Sequence, residues 1–348
     1  MSTIGSKKLQ LAGYELVEII GQGGMGVVYK ARQISMDRLV AVKVLTPKLA
    51  ADKSFTSRFL REARATAKLN HPNVVAGIDV GESAGMYYFA MEFVEGETAL
   101  KKLLRDGPLP MPVVERIAVD IAHALRHAES QGMVHRDVKP ENIMVTSENL
   151  CKLLDLGLAL HAEDVDRLNS DSGRAIGSPK YISPEQAQGL NVIDIRADIY
   201  CFGATLYHLI TGEALFTGNP PDLLMGHVSG HASNPLEKRP DLNPGWAFVL
   251  ERMLAKKPEE RYPNIAALQE DLRRVLAGRT PQAAMLPEVE SSVEGTHDVL
   301  ERKEMPYAAG LKTLTVASVR RLKWVWLVLA VLAVLGGLVA VGYFVVLK

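Results

Sequence analysis

Residues 135–157 read HRDVKPENIMVTSENLCKLLDLG. Two short apolar runs, 143–145 and 151–154, flank a polar turn, which is the pattern of a β-hairpin. A hairpin would bring its two outer loops together, and on those loops stand Asp137, Lys139, Asn142 and Asp155. Two carboxylates, an ammonium and a carboxamide would then converge on a small volume. Phosphoryl transfer from a metal-bound nucleotide needs that set: a carboxylate to orient the attacking hydroxyl, a cation to offset charge on the moving group, and hard oxygen ligands for the metal. Any one of these residues alone would read as a solvated loop charge. The ordered string H-R-D-x-K-x-x-N followed by D-x-G is too long to be read that way.

Upstream, residues 14–20 and 26–33 read as two strands joined by GQGGMG at 21–26. The glycine spacing alone is shared with dinucleotide-binding turns, but those open a helix, and here VVYKA continues as a strand. A glycine flap between antiparallel strands lets backbone N–H groups approach phosphate oxygens. In the next strand, 39–45, Ala41 and Lys43 share one face, and Val40, Val42 and Val44 share the other. Residues 53–69 have helical periodicity and place Phe59, Glu62, Ala63 and Thr66 on one face. A glutamate on that apolar stripe needs a cation, and Lys43 is the natural partner. Strands at 74–81 and 86–93 complete the sheet, and 92–96 reads as a hinge. Beyond residue 100 the pattern turns helical, with a long amphipathic stretch at 111–131 stopped by Gly132.

With GQGGMGVVYKA at 21–31 and GSPKYISPEQA at 177–187, the chain resembles the eukaryotic-like protein kinases, most of all the serine/threonine kinases of bacteria. The resemblance runs from about residue 14 to 277. It implies an α+β, bilobal fold: an N-lobe of antiparallel sheet and one helix over residues 1–95, and a mainly helical C-lobe over 96–277. It implies ATP as the phosphate donor, with Gly21, Gly23, Gly24 and Gly26 over the triphosphate. Val28, Ala41 and Met144 would enclose the adenine, while Met91 stands as gatekeeper and Glu92 and Val94 offer main-chain groups to the adenine edge. Lys43 would reach the α/β-phosphates, held by Glu62 in the active state. Asp137 becomes the catalytic base, Lys139 the contact to the γ-phosphate, and Asn142 and Asp155 the ligands of Mg²⁺, with Mn²⁺ as the alternative. Glu185 would pair with Arg261 and Asp198 would accept N–H bonds from the catalytic loop. Lys139, two places after Asp137, implies protein substrates with Ser/Thr acceptors. Leu156 departs from the family's usual phenylalanine.

Residues 158–176 are polar and aperiodic, as a mobile activation segment should be. Ser170 and Ser172 are its candidate acceptors for autophosphorylation, and a phosphate there could meet Arg136. Glu163, Asp164, Asp166 and Asp171 could supply that charge instead. Ser178 stands where the family has a threonine that touches the catalytic aspartate, and it reads as structural.

Among the 348 residues, 40 Lys+Arg balance 40 Asp+Glu, so no nucleic-acid partner is expected. The two cysteines lie far apart in apolar runs and read as buried free thiols. The N-terminus lacks the apolar core of a signal peptide. Residues 278–323 mix Pro, Gly, Ser and Glu without sustained periodicity and read as a flexible juxtamembrane linker. Residues 324–347 carry no charge and as a helix would measure about 36 Å, enough to cross a bilayer with some tilt. Arg320, Arg321 and Lys323 precede this stretch and Lys348 follows, so the kinase part is expected in the cytoplasm, held to membrane lipid by a single C-terminal span with no extracellular sensor beyond it. Ala333 with Gly337, and Gly336 with Ala340, have small-xxx-small spacing, which suggests a homodimer contact. A catalytically silent scaffold and a small-molecule phosphotransferase are the rival readings. The filled catalytic positions argue against the first, and the peptide-docking motif at 177–187 against the second.

Overall fold

The computed structural model describes residues 11–155, 179–190 and 192–302. The activation segment with Ser170, Ser172 and Ser178, and the apolar stretch 324–347, lie outside the described residues. Among the described residues no helix is long and apolar enough to cross a membrane.

The N-terminal lobe is a five-stranded antiparallel sheet built from β1 (Tyr14–Gln22), β2 (Gly26–Gln33), β3 (Arg38–Leu45), β4 (Gly77–Ser83) and β5 (Met86–Glu92), in the order β1-β2-β3-β5-β4. The β1–β2 turn closes on itself, Gly23 N–H donating to Gly26 C=O at 2.9 Å and Gly26 N–H to Gly23 C=O at 3.3 Å. Gly26 then enters the ladder opposite Leu45, where a Cβ would stand 2.0 Å from the Val44 carbonyl oxygen. At Gly23 a Cβ would meet nothing within 4 Å. The flap thus has a root that admits only glycine and a tip with open space around it.

Strand β3 has the two faces its alternation predicts. Ala41 and Leu45 pack with Phe55, Phe59, Ala63, Phe89 and Met91, and Val40, Val42 and Val44 pack with Tyr14, Ala31 and Tyr88 on the other side. On that second face the Tyr14 and Tyr88 hydroxyls both donate to Asp79 Oδ2, at 3.0 and 2.9 Å. A short turn, α1 (Pro47–Ala50), leads to α2 (Lys53–Thr66), whose first turn is capped by Asp52 Oδ1 accepting from Ser54 N–H and Phe55 N–H. Phe55, Phe59, Ala63 and Thr66 are buried along one face of α2, and Glu62 is half-buried beside them.

After the hinge come β6 (Gly96–Thr98), α3 (Ala99–Asp106) and α4 (Met111–Ser130). Then β7 (Ile143–Thr146) and β8 (Cys151–Leu153) form the expected hairpin, with Ile143 opposite Leu153, and β6 completes a three-stranded sheet. Leu154 N–H donates to Asn142 C=O at 2.8 Å, which closes the hairpin's open end and draws Asn142 and Asp155 together. The rest is helical: α5 (Pro184–Ala187), α6 (Ile195–Thr211), α7 (Pro220–Ser229), α8 (Pro235–Lys238), α9 (Pro244–Met253) and α10 (Ile265–Leu276). Helix α6 is buried along most of its length, begins at the Asp194 cap and ends at Gly212, whose φ of +79° no L side chain adopts cheaply. It is the axis on which the catalytic loop rests.

The flexible-linker reading does not hold over residues 281–296. Ser291, Ser292, Val293 and Thr296 are buried, Val293 bridges Ala232, and Ser291 bridges Ala255. Ser292 N–H donates to Leu254 C=O at 2.9 Å, and Thr296 N–H to the Glu251 carboxylate at 2.8 Å. Residues 282–285 form one 3-10 turn whose first N–H groups reach the Asp271 carboxylate, and the rest is an irregular strap fastened by backbone and side-chain hydrogen bonds. It needs no apolar period, so composition alone makes it look like a linker. The chain forms two compact units, Met1–Thr296 and His297–Lys348; of the second, residues 297–302 are described and are helical.

Candidate active site

Lys43 sits on β3 with 7% of its surface exposed, and its Nζ lies 2.7 Å from Asp155 Oδ2. Burial alone would raise the Asp155 carboxyl, but the Lys43 ammonium in contact with it, with Lys139 nearby, holds it below its ordinary range. Asp155, two residues beyond β8, has a left-handed conformation, φ +52°, and its side chain reaches Lys43 on the N-lobe sheet. The Lys43–Glu62 pair that the resemblance implies for the active state is not formed in this structure: among the described residues the partner of Lys43 is Asp155.

The catalytic loop, residues 135–142, is held atom by atom. His135 N–H and Arg136 N–H donate to the two oxygens of Asp198, at 2.7 and 2.6 Å. The His135 ring bonds Leu154 C=O through Nε2 at 2.8 Å, so that nitrogen carries the proton and Nδ1 accepts from Asp137 N–H at 3.2 Å. Thr205, two turns beyond Asp198 on α6, donates to Val138 C=O at 3.0 Å. Gln186 Nε2 donates to Arg136 C=O at 2.9 Å. Backbone groups on both sides of Asp137 therefore have named partners, as buried polar groups require. Burial pushes the Asp198 carboxyl up to about 6 although the His135 and Arg136 N–H bonds pull the other way.

Within this frame Asp137 is bracketed. Lys139 Nζ stands 2.6 Å from its Oδ2, and Asn142 Nδ2 donates to that oxygen at 3.1 Å and to the Asp137 carbonyl at 2.8 Å. Burial opposes the charge on Lys139, yet Asp137, Glu141 and Asp155 raise its affinity for the proton. With Nδ2 engaged, the carbonyl oxygen is the end of Asn142 left for a ligand. Asp155 likewise keeps the oxygen that Lys43 does not take. Two hard oxygens on one hairpin suit a divalent cation that also binds phosphate.

Glu185 and Arg261 form the expected buried pair, bidentate at 2.7 and 2.8 Å. The other guanidinium N–H groups reach the carbonyls of Ala255, Arg196 and Lys256, and the plane lies 4.9 Å from the centre of the Tyr200 ring. Gly21, Gly23, Gly24 and Gly26 all fall on the β1–β2 hairpin, and Val28 and Ala41 on the sheet face beneath it. Glu92 closes β5, its N–H donating to Ala76 C=O at 2.9 Å and its carboxylate pairing with Lys152 at 2.8 Å. Val94 follows in the hinge, outside either ladder, and Met144 is half-buried on β7. The sequence reading passed over Thr205 and Gln186. The second of these had a signal, the S-x-x-Q of a capping box at 183–186.

Residues 14–272 match the family model described as the protein kinase domain. The serine/threonine-protein kinase PknB of Mycobacterium leprae is 41% identical over 275 residues, covering 78% of this chain and 44% of that protein. PknB of Mycolicibacterium smegmatis is 38% identical over 348 residues, covering 94% of this chain and 54% of that one. Among solved structures, the kinase domain of Mycobacterium tuberculosis PknI matches with a TM-score of 0.62 and 32% identity, over 78% of this chain and 99% of that one. The chain spans about half the length of the curated relatives it matches.

Proposed function

This chain belongs to the protein kinase domain family, and from that premise we propose that it transfers the γ-phosphate of ATP to serine and threonine hydroxyls of protein substrates in signalling. The observation that carries the reading is the bracketed Asp137: a carboxylate held by Lys139 at 2.6 Å and Asn142 at 3.1 Å, on a loop whose backbone is fixed by Asp198 and Thr205.

Asp137 orients the acceptor hydroxyl and takes its proton as the oxygen attacks. Lys139, charged throughout the working pH range, moves from Asp137 toward the γ-phosphate oxygens and offsets the charge that spreads over them. Lys43 grips the α/β-phosphates from the N-lobe, and the glycine flap offers backbone N–H groups from above. Val28, Ala41 and Met144 form the apolar enclosure for adenine, with Glu92 and Val94 at its edge. Asn142 and Asp155 would hold Mg²⁺, or Mn²⁺, by their remaining oxygens, and the cation would supply positive charge to offset that of the phosphates. Positioning and fixed charge supply the catalysis.

The test is phosphate transfer from labelled magnesium-ATP by the full chain to a protein acceptor, with Asp137→Asn as control and mapping of the labelled residues. Label on Ser or Thr that disappears in the variant supports the reading, and equal labelling in both overturns it. The same mapping decides whether Ser170 or Ser172 is an autophosphorylation site.

Residues 324–347 serve in this reading as a membrane anchor with the kinase part on the cytoplasmic side, supported by their freedom from charge and by the basic residues Arg320, Arg321 and Lys323 before them. Carbonate-resistant membrane retention should vanish when residues 324–348 are removed, and retention that persists would refute the anchor. The small-residue spacing at Ala333/Gly337 supports a dimer contact in the same segment.

A further inference from the structure

Helix α5 opens with a reciprocal cap: Ser183 Oγ accepts from Gln186 N–H at 3.4 Å, and Gln186 Oε1 accepts from Ser183 N–H at 3.3 Å. Glutamate serves this motif as well as glutamine, because only a side-chain oxygen is used. Gln186 does a second thing that glutamate cannot. Its Oε1 faces donors only, the Ser183 N–H, the Ser183 hydroxyl at 2.9 Å and the Cys201 thiol at 3.5 Å. That arrangement assigns the amide's orientation and leaves Nε2 to donate to Arg136 C=O at 2.9 Å.

The acceptor is no ordinary carbonyl. Arg136 has φ +68°, a left-handed conformation that a non-glycine residue keeps only when its surroundings enforce it. The carbonyl belongs to the peptide joining Arg136 to Asp137. Both ends of that peptide plane are tied, the C=O to Gln186 and the Asp137 N–H to His135 Nδ1. The plane's tilt fixes the direction in which the Asp137 side chain leaves the backbone.

We propose that Gln186 is a positioning residue: its carboxamide holds the Arg136–Asp137 peptide and so aims the Asp137 carboxylate at the acceptor hydroxyl. This rests on the kinase reading above. It also makes the peptide-docking motif and the catalytic loop one mechanical piece, since α5 carries both Glu185 and Gln186.

The discriminating variant is Gln186→Glu in the full chain, which keeps the cap oxygen and replaces the donor with an acceptor. Its kcat should fall about tenfold at pH 8 while KM for ATP stays within about twofold and the melting temperature within about 2 °C. Because a protonated carboxyl regains a donor, the deficit relative to wild type should shrink as pH falls toward about 5.5. Gln186→Ala should show the rate loss without the pH recovery, and a lower melting temperature from the lost cap. Hydrogen exchange of the peptide spanning residues 133–139 should quicken in both variants. Wild-type kcat in Gln186→Glu, or a deficit that is the same at every pH, overturns the proposal and leaves the kinase reading standing. If the wild-type chain transfers no phosphate to any protein hydroxyl, both fall together.

Discussion

The Lys43 ammonium touches the Asp155 carboxylate, 2.7 Å across a sequence separation of 112 residues, and so ties the N-lobe sheet to the catalytic hairpin. Replacing Lys43 with Met leaves Asp155 with burial and no contacting cation. The Asp155 carboxyl, now below its ordinary range, should titrate above it in the variant. The sign for the wild type follows: a depressed carboxyl stabilises the fold above its unfolded pKa, and that contribution is lost as pH falls through the folded value. Carbon-detected titration of labelled aspartate should show the reversal, and phosphate transfer should drop by about 10²–10³.

Asp198 behaves in the opposite sense. Its carboxyl is raised from 3.8 to about 6, so the folded chain binds the extra proton more tightly than the unfolded chain does. Stability from this group is present below the unfolded pKa and is lost as pH rises through about 6. Unfolding free energies of the wild type minus those of Asp198→Asn should therefore decline between pH 4 and 6, by on the order of 3 kcal/mol. Phosphate transfer should move the other way, rising as Asp198 ionises and can accept both the His135 and Arg136 N–H bonds.

Arg261 uses its guanidinium on Glu185 and three carbonyls, with no exposed side-chain surface. Removing either partner strands a buried charge, at a cost of about 3–5 kcal/mol. Arg261→Ala and Glu185→Ala should each lower the melting temperature by roughly 10 °C. The double variant should lose much less than the sum. Arg261→Lys should fare little better than Arg261→Ala, because an ammonium cannot reproduce the planar fork.

The strap at 281–296 is part of the folded unit. Cutting the chain after residue 280 should lower the melting temperature by several degrees, whereas cutting after residue 302 should leave it near that of the full chain. Within the strap, Ser292 Oγ lies 2.6 Å from the Tyr200 hydroxyl, which also meets His227 Nδ1 at 2.9 Å. Ser292→Ala should cost about 1 kcal/mol in denaturant unfolding.

Most of the site was legible because it is written as local strings. The hairpin carrying Asn142 and Asp155 follows from two apolar runs and a turn, and the two faces of β3 follow from strict alternation around Lys43. The residues that hold the loop in place were harder to read. Thr205 and Gln186 each act through one hydrogen bond across 67 and 50 residues, and a single long-range contact leaves no periodicity. The pairing of Lys43 with Glu62, implied for the active state, is a different case: this structure shows Lys43 on Asp155 instead. A helix stripe shows which carboxylate faces the core, but not which conformational state places it on the lysine. The strap was hidden because single hydrogen bonds to distant residues, not an apolar period, fasten it.

The unequal room around the two flap glycines has a practical consequence. Beyond its chain neighbours, nothing stands within 4 Å of a Cβ placed at Gly23, whereas at Gly26 the Val44 carbonyl blocks one. A cysteine introduced at residue 23 could therefore carry a fluorophore at the very lip of the nucleotide cleft, with the strand behind it undisturbed. Dye brightness would then report each arrival and departure of the nucleotide in real time, before any phosphate has moved.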